Sequence, residues 1–293
     1  MKWQGSYPAL ITPFRGGALD EAALRGLVRF QTRGGSSGLV ACGSTGEGAT
    51  LRPEEYGRII QVVVDEARGK IPVIAGVSSS ATWKAVEMAQ EARGLGADAL
   101  LVTSPSYNKP TQEGLFRHYQ AVARAVPLPI MIYNIPGRTA VNVLPPTIVR
   151  ITAACRNVTA VKEASGSLDQ ASQIIQAVGS RAAVLSGDDS LTLPMMAIGA
   201  RGIVSVAANI LPKDMARLCE YSLKGKTESA RKLHLKLLLV LKALFIETNP
   251  IPLKAAAAMM GLCSDEMRLP LTPLTAASRK ALRAALKRHG CLK

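Results

Sequence analysis

Aromatic residues make up only 4% of this 293-residue chain, which also has just three histidines and five cysteines. So few rings leave little for the stacking platforms of a single-strand nucleic-acid binder. His118, His234 and His289 stand apart, with no HExxH pattern, which removes the commonest metal ligand and the commonest general base from the candidates. The cysteines at 42, 155, 219, 263 and 291 are odd in number and include no CxxC pair. That pattern argues against a disulfide framework or a zinc cluster and for a reducing, cytoplasmic setting. Long apolar runs are missing too: LHLKLLLVLKALFIE (233–247) is interrupted by Lys236 and Lys242 and reads as an amphipathic helix, not a membrane span. Near the N-terminus, Gly5, Ser6 and Pro8 break the apolar core that a signal peptide needs.

Acidic residues are also scarce, 21 against 36 Lys and Arg, for a net charge of +15. That balance invites a nucleic-acid reading. However, the basic residues are spread along the chain, and the densest stretch, RKALRAALKRHGCLK, has the helical spacing of a solvated face. The expectation is no nucleic-acid partner and no membrane, with a surface that concentrates anionic metabolites.

What is present is a rhythm. Apolar, β-branched runs recur at 7–12, 38–43, 72–77, 99–105, 129–134, 158–165, 182–189 and 202–209, separated by helical patterns. Pro53 with Glu54 and Glu55 suits a first helical turn. Ser167-x-x-Gln170 reads as a capping box, and Gly69 and Gly94 as helix stops. Near-continuous apolar strands alternating with helices predict a parallel sheet covered on both faces. Eight units, with no dinucleotide fingerprint after the first strand, predict a (β/α)8 TIM barrel over residues 1–224. Only helical patterns follow (227–247, 251–262 and 275–289), so a C-terminal helical extension is expected over 225–293.

Catalytic residues of such barrels sit where strands end and βα loops begin. Those ends carry GSTGEG (43–48), SYNKP (106–110), YNIPGRT (133–139), KEASGS (162–167) and SGDD (186–189). Strand alternation puts Val158, Ala160, Lys162 and Ala164 on one face, and Thr159, Val161, Glu163 and Ser165 on the other. An ammonium aimed into an apolar interior is costly, and burial favours the free amine. Lys162 is therefore a candidate for imine chemistry on a carbonyl substrate; the alternative is a lysine paired with Glu163 or another carboxylate. Met131 and Tyr133 share a face on the preceding run, so Tyr133 can stand beside Lys162 and move protons, or serve as a core tyrosine. The glycines of GSTGEG would let backbone amides approach a small carboxylate, with hydroxyls from Ser44 and Thr45, unless the segment is a plain turn. Arg138, just past a strand end, could clamp a carboxylate bidentately, although most loop arginines do nothing of the kind. Gly187-Asp188-Asp189 reads as a tight turn lining the pocket.

Read in order, GSTGE, SYNKP, YNIPGRT, VKEASG, LSGDD and NPIPLK resemble the dihydrodipicolinate synthase family over essentially the whole chain. The family lies within the pyruvate-dependent class I aldolases, which also include N-acetylneuraminate lyase. The resemblance implies a lyase without a cofactor that condenses pyruvate, held as an imine on Lys162, with L-aspartate 4-semialdehyde on the route to lysine and diaminopimelate. It implies a proton relay of Tyr133, Ser44 and Tyr107, the last supplied by a neighbouring subunit. It also implies pyruvate contacts at Thr45 and Val204, a semialdehyde clamp at Arg138, and a homotetramer built from two dimers. The relay position at Ser44 is usually threonine; the hydroxyl is kept and its rotamer freed. Positions that bind the inhibitor lysine in relatives hold Gly48, Pro53, Tyr56, Ser80, Lys84 and Ser106 here, which implies weak feedback or none. A sugar-acid or hydroxy-oxoacid aldolase, or a non-catalytic binding barrel, would be the alternative.

Overall fold

The computed structural model describes residues 1–292. Eight strands form one sheet: β1 (Gly5–Pro8), β2 (Leu39–Ala41), β3 (Val73–Val77), β4 (Ala99–Thr103), β5 (Ile130–Asn134), β6 (Val158–Glu163), β7 (Ala183–Ser186) and β8 (Gly202–Ser205). Every pairing is parallel, β1 joins β8 with Tyr7 opposite Val204, and an Ala9–Val40 bridge closes the ring. Helices α1 (Glu21–Arg33), α2 (Pro53–Ala67), α3 (Thr82–Gly94), α4 (Gln112–Ala125), α5 (Pro145–Ala154), α6 (Leu168–Val178), α7 (Thr192–Ala197) and α8 (Pro212–Leu223) follow the strands in turn. This is the expected (β/α)8 barrel. Beyond it lie α9 (Thr227–Ala243), α10 (Ile251–Met259) and α11 (Ala276–His289). Among the described residues no helix is long and apolar enough to cross a membrane, and all five cysteines are free thiols.

Apolar alternation divides the core into two layers. Tyr7, Val40, Ile74, Leu101, Met131 and Leu185 fill the barrel interior, while a larger layer packs between sheet and helices. The interior is closed at the strand starts by Trp3, whose Nε1 donates to Thr159 Oγ1 at 2.9 Å.

Three local expectations change. The first strand is Gly5–Pro8 and not 7–12: Leu10 and Ile11 remain buried, but the Ile11 N–H is satisfied by Asn209 Oδ1 at 3.1 Å instead of a strand partner. Apolar burial therefore outruns the ladder. In β6 the register shifts opposite Ile130 and Met131. Val158 consequently joins the outer layer while Ala160 stays inside; a bulge of this kind breaks strict alternation. At α6, Ser167 Oγ accepts from the Gln170 N–H at 3.1 Å, but Gln170 does not reach back. Its Nε2 donates instead to Asn142 Oδ1 at 3.1 Å and Glu163 Oε2 at 3.3 Å. A buried carboxylate attracts the amide more strongly than an exposed N-cap. The α2 start holds as expected, and Glu55 Oε2 also accepts from the Arg52 N–H at 2.9 Å.

Candidate active site

Lys162 and Tyr133 are cross-strand partners near the C-terminal ends of β6 and β5. Their side chains point into the barrel, at 6% and 4% exposure. The ammonium nitrogen lies 3.8 Å from the centroid of the tyrosine ring. Among the described residues Lys162 has no ion pair and no side-chain hydrogen bond. Glu163 is turned the other way and fully engaged: Oε2 accepts from Asn134 Nδ2 at 2.9 Å, and Oε1 accepts from the Ser165 N–H at 2.7 Å. The pairing of Lys162 with Glu163, open in the sequence, is absent.

Gly187 explains how the lysine keeps its room. Its N–H donates to Glu163 O at 2.8 Å, which draws the turn after β7 against β6. A Cβ at this position would stand 2.5 Å from Ala164 Cβ and 3.1 Å from Lys162 Cε. Only hydrogen fits there without displacing Ala164 and crowding the lysine. The rest of SGDD is a turn, as expected: Asp188 Oδ1 accepts from the Ser190 N–H and Oγ, each at 2.8 Å. Asp189 is buried and takes Ser205 Oγ at 2.5 Å and the N–H groups of Val206 and Ala207 at 3.0 and 3.2 Å. Burial pushes its carboxyl up to about 6 despite those donors. This carboxylate fixes the chain just past Val204, which itself lies in the barrel interior.

The GSTGEG loop continues β2 through left-handed residues Cys42 (φ 56°) and Glu47 (φ 55°), with a tight turn at Ser44–Gly46 between them. Thr45 is buried, and its hydroxyl accepts from Asn249 Nδ2 at 3.0 Å. The carbonyl of that same Asn249 accepts from Arg138 Nη2 at 2.8 Å. Asn249 thus ties the loop after β2 to the single helical turn Pro136–Thr139 after β5. Arg138 is otherwise exposed. Ser44 is half-buried and makes no side-chain hydrogen bond among the described residues. Tyr107 stands apart: on the loop after β4, with φ 73°, it is 92% exposed.

Lys162, Tyr133 and Gly187 are therefore in contact, Thr45 and Arg138 are joined through Asn249, and Tyr107 projects from the surface of the chain. Sequence reading missed Asn249. Its signal was NPIPLK, taken only as part of a resemblance and not as a strut. It also gave no role to Asp189, whose partners lie on another strand's loop. Among the described residues no cluster of three His, Cys, Asp or Glu side chains could hold a metal. A cavity of about 560 Å³ opens at the opposite mouth, around Trp3, Thr159 and Arg181, and includes none of these residues.

An amine in such a place can add to a carbonyl, and a phenol against it can carry the proton. Comparison with known proteins agrees on the framework. The model of the dihydrodipicolinate synthetase family matches residues 2–289. A 4-hydroxy-tetrahydrodipicolinate synthase from Geotalea uraniireducens is 52% identical over 99% of this chain and 100% of its own. The solved structure of dihydrodipicolinate synthase from Aquifex aeolicus superposes with a TM-score of 0.97 at 45% identity, covering 99% of both chains. The chloride-inhibited enzyme from Acinetobacter baumannii, complexed with pyruvate, gives 0.97 at 41% identity over 99% of this chain and 100% of that one. On its sequence, its barrel and its loops, this chain belongs to the dihydrodipicolinate synthetase family.

Proposed function

We propose that the protein is a 4-hydroxy-tetrahydrodipicolinate synthase, a class I aldolase-type lyase joining pyruvate to L-aspartate 4-semialdehyde. The observation that carries this is the unpaired Lys162 amine, buried beside Tyr133, in a chain 52% identical to a protein of that name. The free amine adds to the pyruvate ketone, and the carbinolamine loses water to give the imine. The imine withdraws electrons, so a methyl proton leaves and an enamine forms. Its terminal carbon attacks the semialdehyde carbonyl, and the new alkoxide takes a proton. The amino group of the adduct then adds to the imine carbon and displaces Lys162, closing the ring and restoring the amine.

Tyr133 is in place to pass protons to and from the carbinolamine oxygen. Ser44 and the neighbouring subunit's Tyr107 complete the relay. Thr45 and the backbone at Val204 receive the pyruvate carboxylate, and Gly187 keeps space beside the lysine. Arg138, steadied through one nitrogen by Asn249, clamps the semialdehyde carboxylate bidentately. The full exposure of Tyr107 supports an assembly in which another subunit covers it, a dimer within a tetramer.

Feedback by free lysine is weak or absent in this reading. Lys84 is 44% exposed and sits 3.2 Å from Glu87, while Ser80 Oγ donates to Ser106 O at 2.8 Å. An inhibitor's ammonium would meet a like charge at Lys84. Sub-millimolar half-inhibition by L-lysine would contradict this. The activity itself is tested by assaying pyruvate with aspartate semialdehyde beside cleavage of sialic acid and of 2-keto-3-deoxygluconate. Turnover of the first pair alone is expected; preferential sugar-acid cleavage would overturn the assignment.

A further inference from the structure

The protein buries a second lysine, and nothing in the reaction above uses it. Lys254 comes from α10, in the C-terminal extension, and both its side chain and that of Glu47 are 0% exposed. Its Nζ lies 2.6 Å from Glu47 Oε1 and donates to Glu266 O at 2.6 Å. The other oxygen of Glu47 accepts from the Arg268 N–H at 3.0 Å. The Phe14 ring stacks beneath both cations, its centroid 4.5 Å from Lys254 Nζ and 4.1 Å from the Arg268 guanidinium. Burial pulls the Lys254 pKa down, and Glu47 pushes it back up.

The position of Glu47 gives this pair its meaning. It is the left-handed residue that ends the Ser44–Gly46 turn, a conformation that disfavours any side chain with a Cβ. The loop is pinned from below as well. A Cβ on Gly46 would lie 2.8 Å from Leu10 O, and one on Gly48 would overlap Cys42 O. Thr12 Oγ1 also donates to Gly46 O at 2.7 Å. From above, the hold comes from Lys254, five residues along from Asn249, which grips Thr45. A buried pair is a poor source of stability, because desolvation offsets its attraction and apolar residues of similar volume often do as well. Placed directly behind a left-handed turn residue, such a pair can instead specify a geometry.

We propose that Lys254 is a positioning residue of the pyruvate site: through Glu47 it holds the strained turn that aims Ser44 and Thr45, making the C-terminal extension part of the catalytic apparatus. This rests on the reading of Lys162 as the imine-forming residue and of Ser44 and Thr45 as pyruvate contacts.

The test uses the full chain with Glu47→Gln, Lys254→Met and the neutral double variant. Thermal midpoints are measured alongside kcat/KM for each substrate and the rate of borohydride-trapped pyruvate adduct. Lys254→Met alone strands a buried carboxylate, so it should melt early, and the double variant should recover much of that loss. Measured well below its midpoint, the double variant should still lose about 10-fold in kcat/KM for pyruvate and in trapping rate, with kcat/KM for the semialdehyde within about 3-fold. Glu47→Gln, nearly isosteric, should fold and show the same one-sided loss at smaller size. Wild-type pyruvate kinetics in either variant, or equal losses for both substrates, would overturn the proposal. Failure of the wild-type chain to form any adduct would instead overturn the reading of Lys162.

Discussion

Among the described residues two lysines are buried, and their surroundings differ. Lys254 has a carboxylate and a carbonyl within hydrogen-bond distance, so its charge is compensated and its nitrogen is not free to react. Lys162 faces an aromatic ring and has no ion pair or side-chain hydrogen bond among the described residues, so its nitrogen is available. Burial is common to both lysines; what sets the proposed nucleophile apart is burial without a partner. A third buried group, His118, is structural and pH-sensitive. Its Nδ1 lies 3.0 Å from Thr82 Oγ1, its Nε2 has no partner, and desolvation lowers its pKa from 6.5 to about 4. Because the folded value lies below the unfolded one, folding favours the neutral ring. That contribution is fully present above the unfolded pKa and fades as pH falls through the window towards the folded one. His118→Gln removes the titration, so its stability relative to wild type should be better at pH 5 than at pH 7 by about 2 kcal/mol. Denaturant titrations at the two pH values check this; an identical difference at both would contradict it. Asp189, shifted the other way, is common to both proteins and cancels.

At the scale of elements, the loops at the strand ends depend on small residues where backbone and side chain crowd together. Gly187→Ala would press a methyl against Ala164 and Lys162, and overpacking of this kind costs about 1–3 kcal/mol. The expected outcome is a modest drop in thermal midpoint with a loss of more than about 10-fold in pyruvate adduct formation, because the crowded neighbour Lys162 is the proposed nucleophile. A variant that loses stability but traps pyruvate at the wild-type rate would show that Gly187 serves the fold only. Most of this layer could be read beforehand. The eight runs, Lys162 and Tyr133 on one inward face and the turn at Gly187 all follow from local periodicity and glycine placement. What escaped was set by distant partners. Asn209 ends β1 by supplying a hydrogen bond from 198 residues away, Asn142, 28 residues away, draws Gln170 from its cap, and Asn249 meets Thr45 only once the chain has folded.

For the whole molecule, the telling feature is a tyrosine that the subunit does not bury. Tyr107 is 92% exposed, and its proposed role requires a neighbour. Mixed dimers of Tyr107→Phe and Lys162→Ala subunits should regain activity that neither parent has, because one of the two sites then combines an intact lysine with the partner's tyrosine. No gain on mixing, in subunits shown to exchange, would mean that Tyr107 acts within its own chain or not at all. The positive charge is uneven at this scale as well. Residues 225–293 carry 13 Lys and Arg against 4 Asp and Glu, yet Lys254 and Arg268, which both bond to Glu47 of the GSTGEG loop, are each paired with an internal carboxylate.

The most direct measurement is reduction with borohydride in the presence of pyruvate, followed by mass mapping of the modified residue. The expected result is one reduced pyruvate adduct per chain, located on Lys162 and lost in Lys162→Ala. An unmodified Lys162, or an adduct placed on another lysine, would contradict the account.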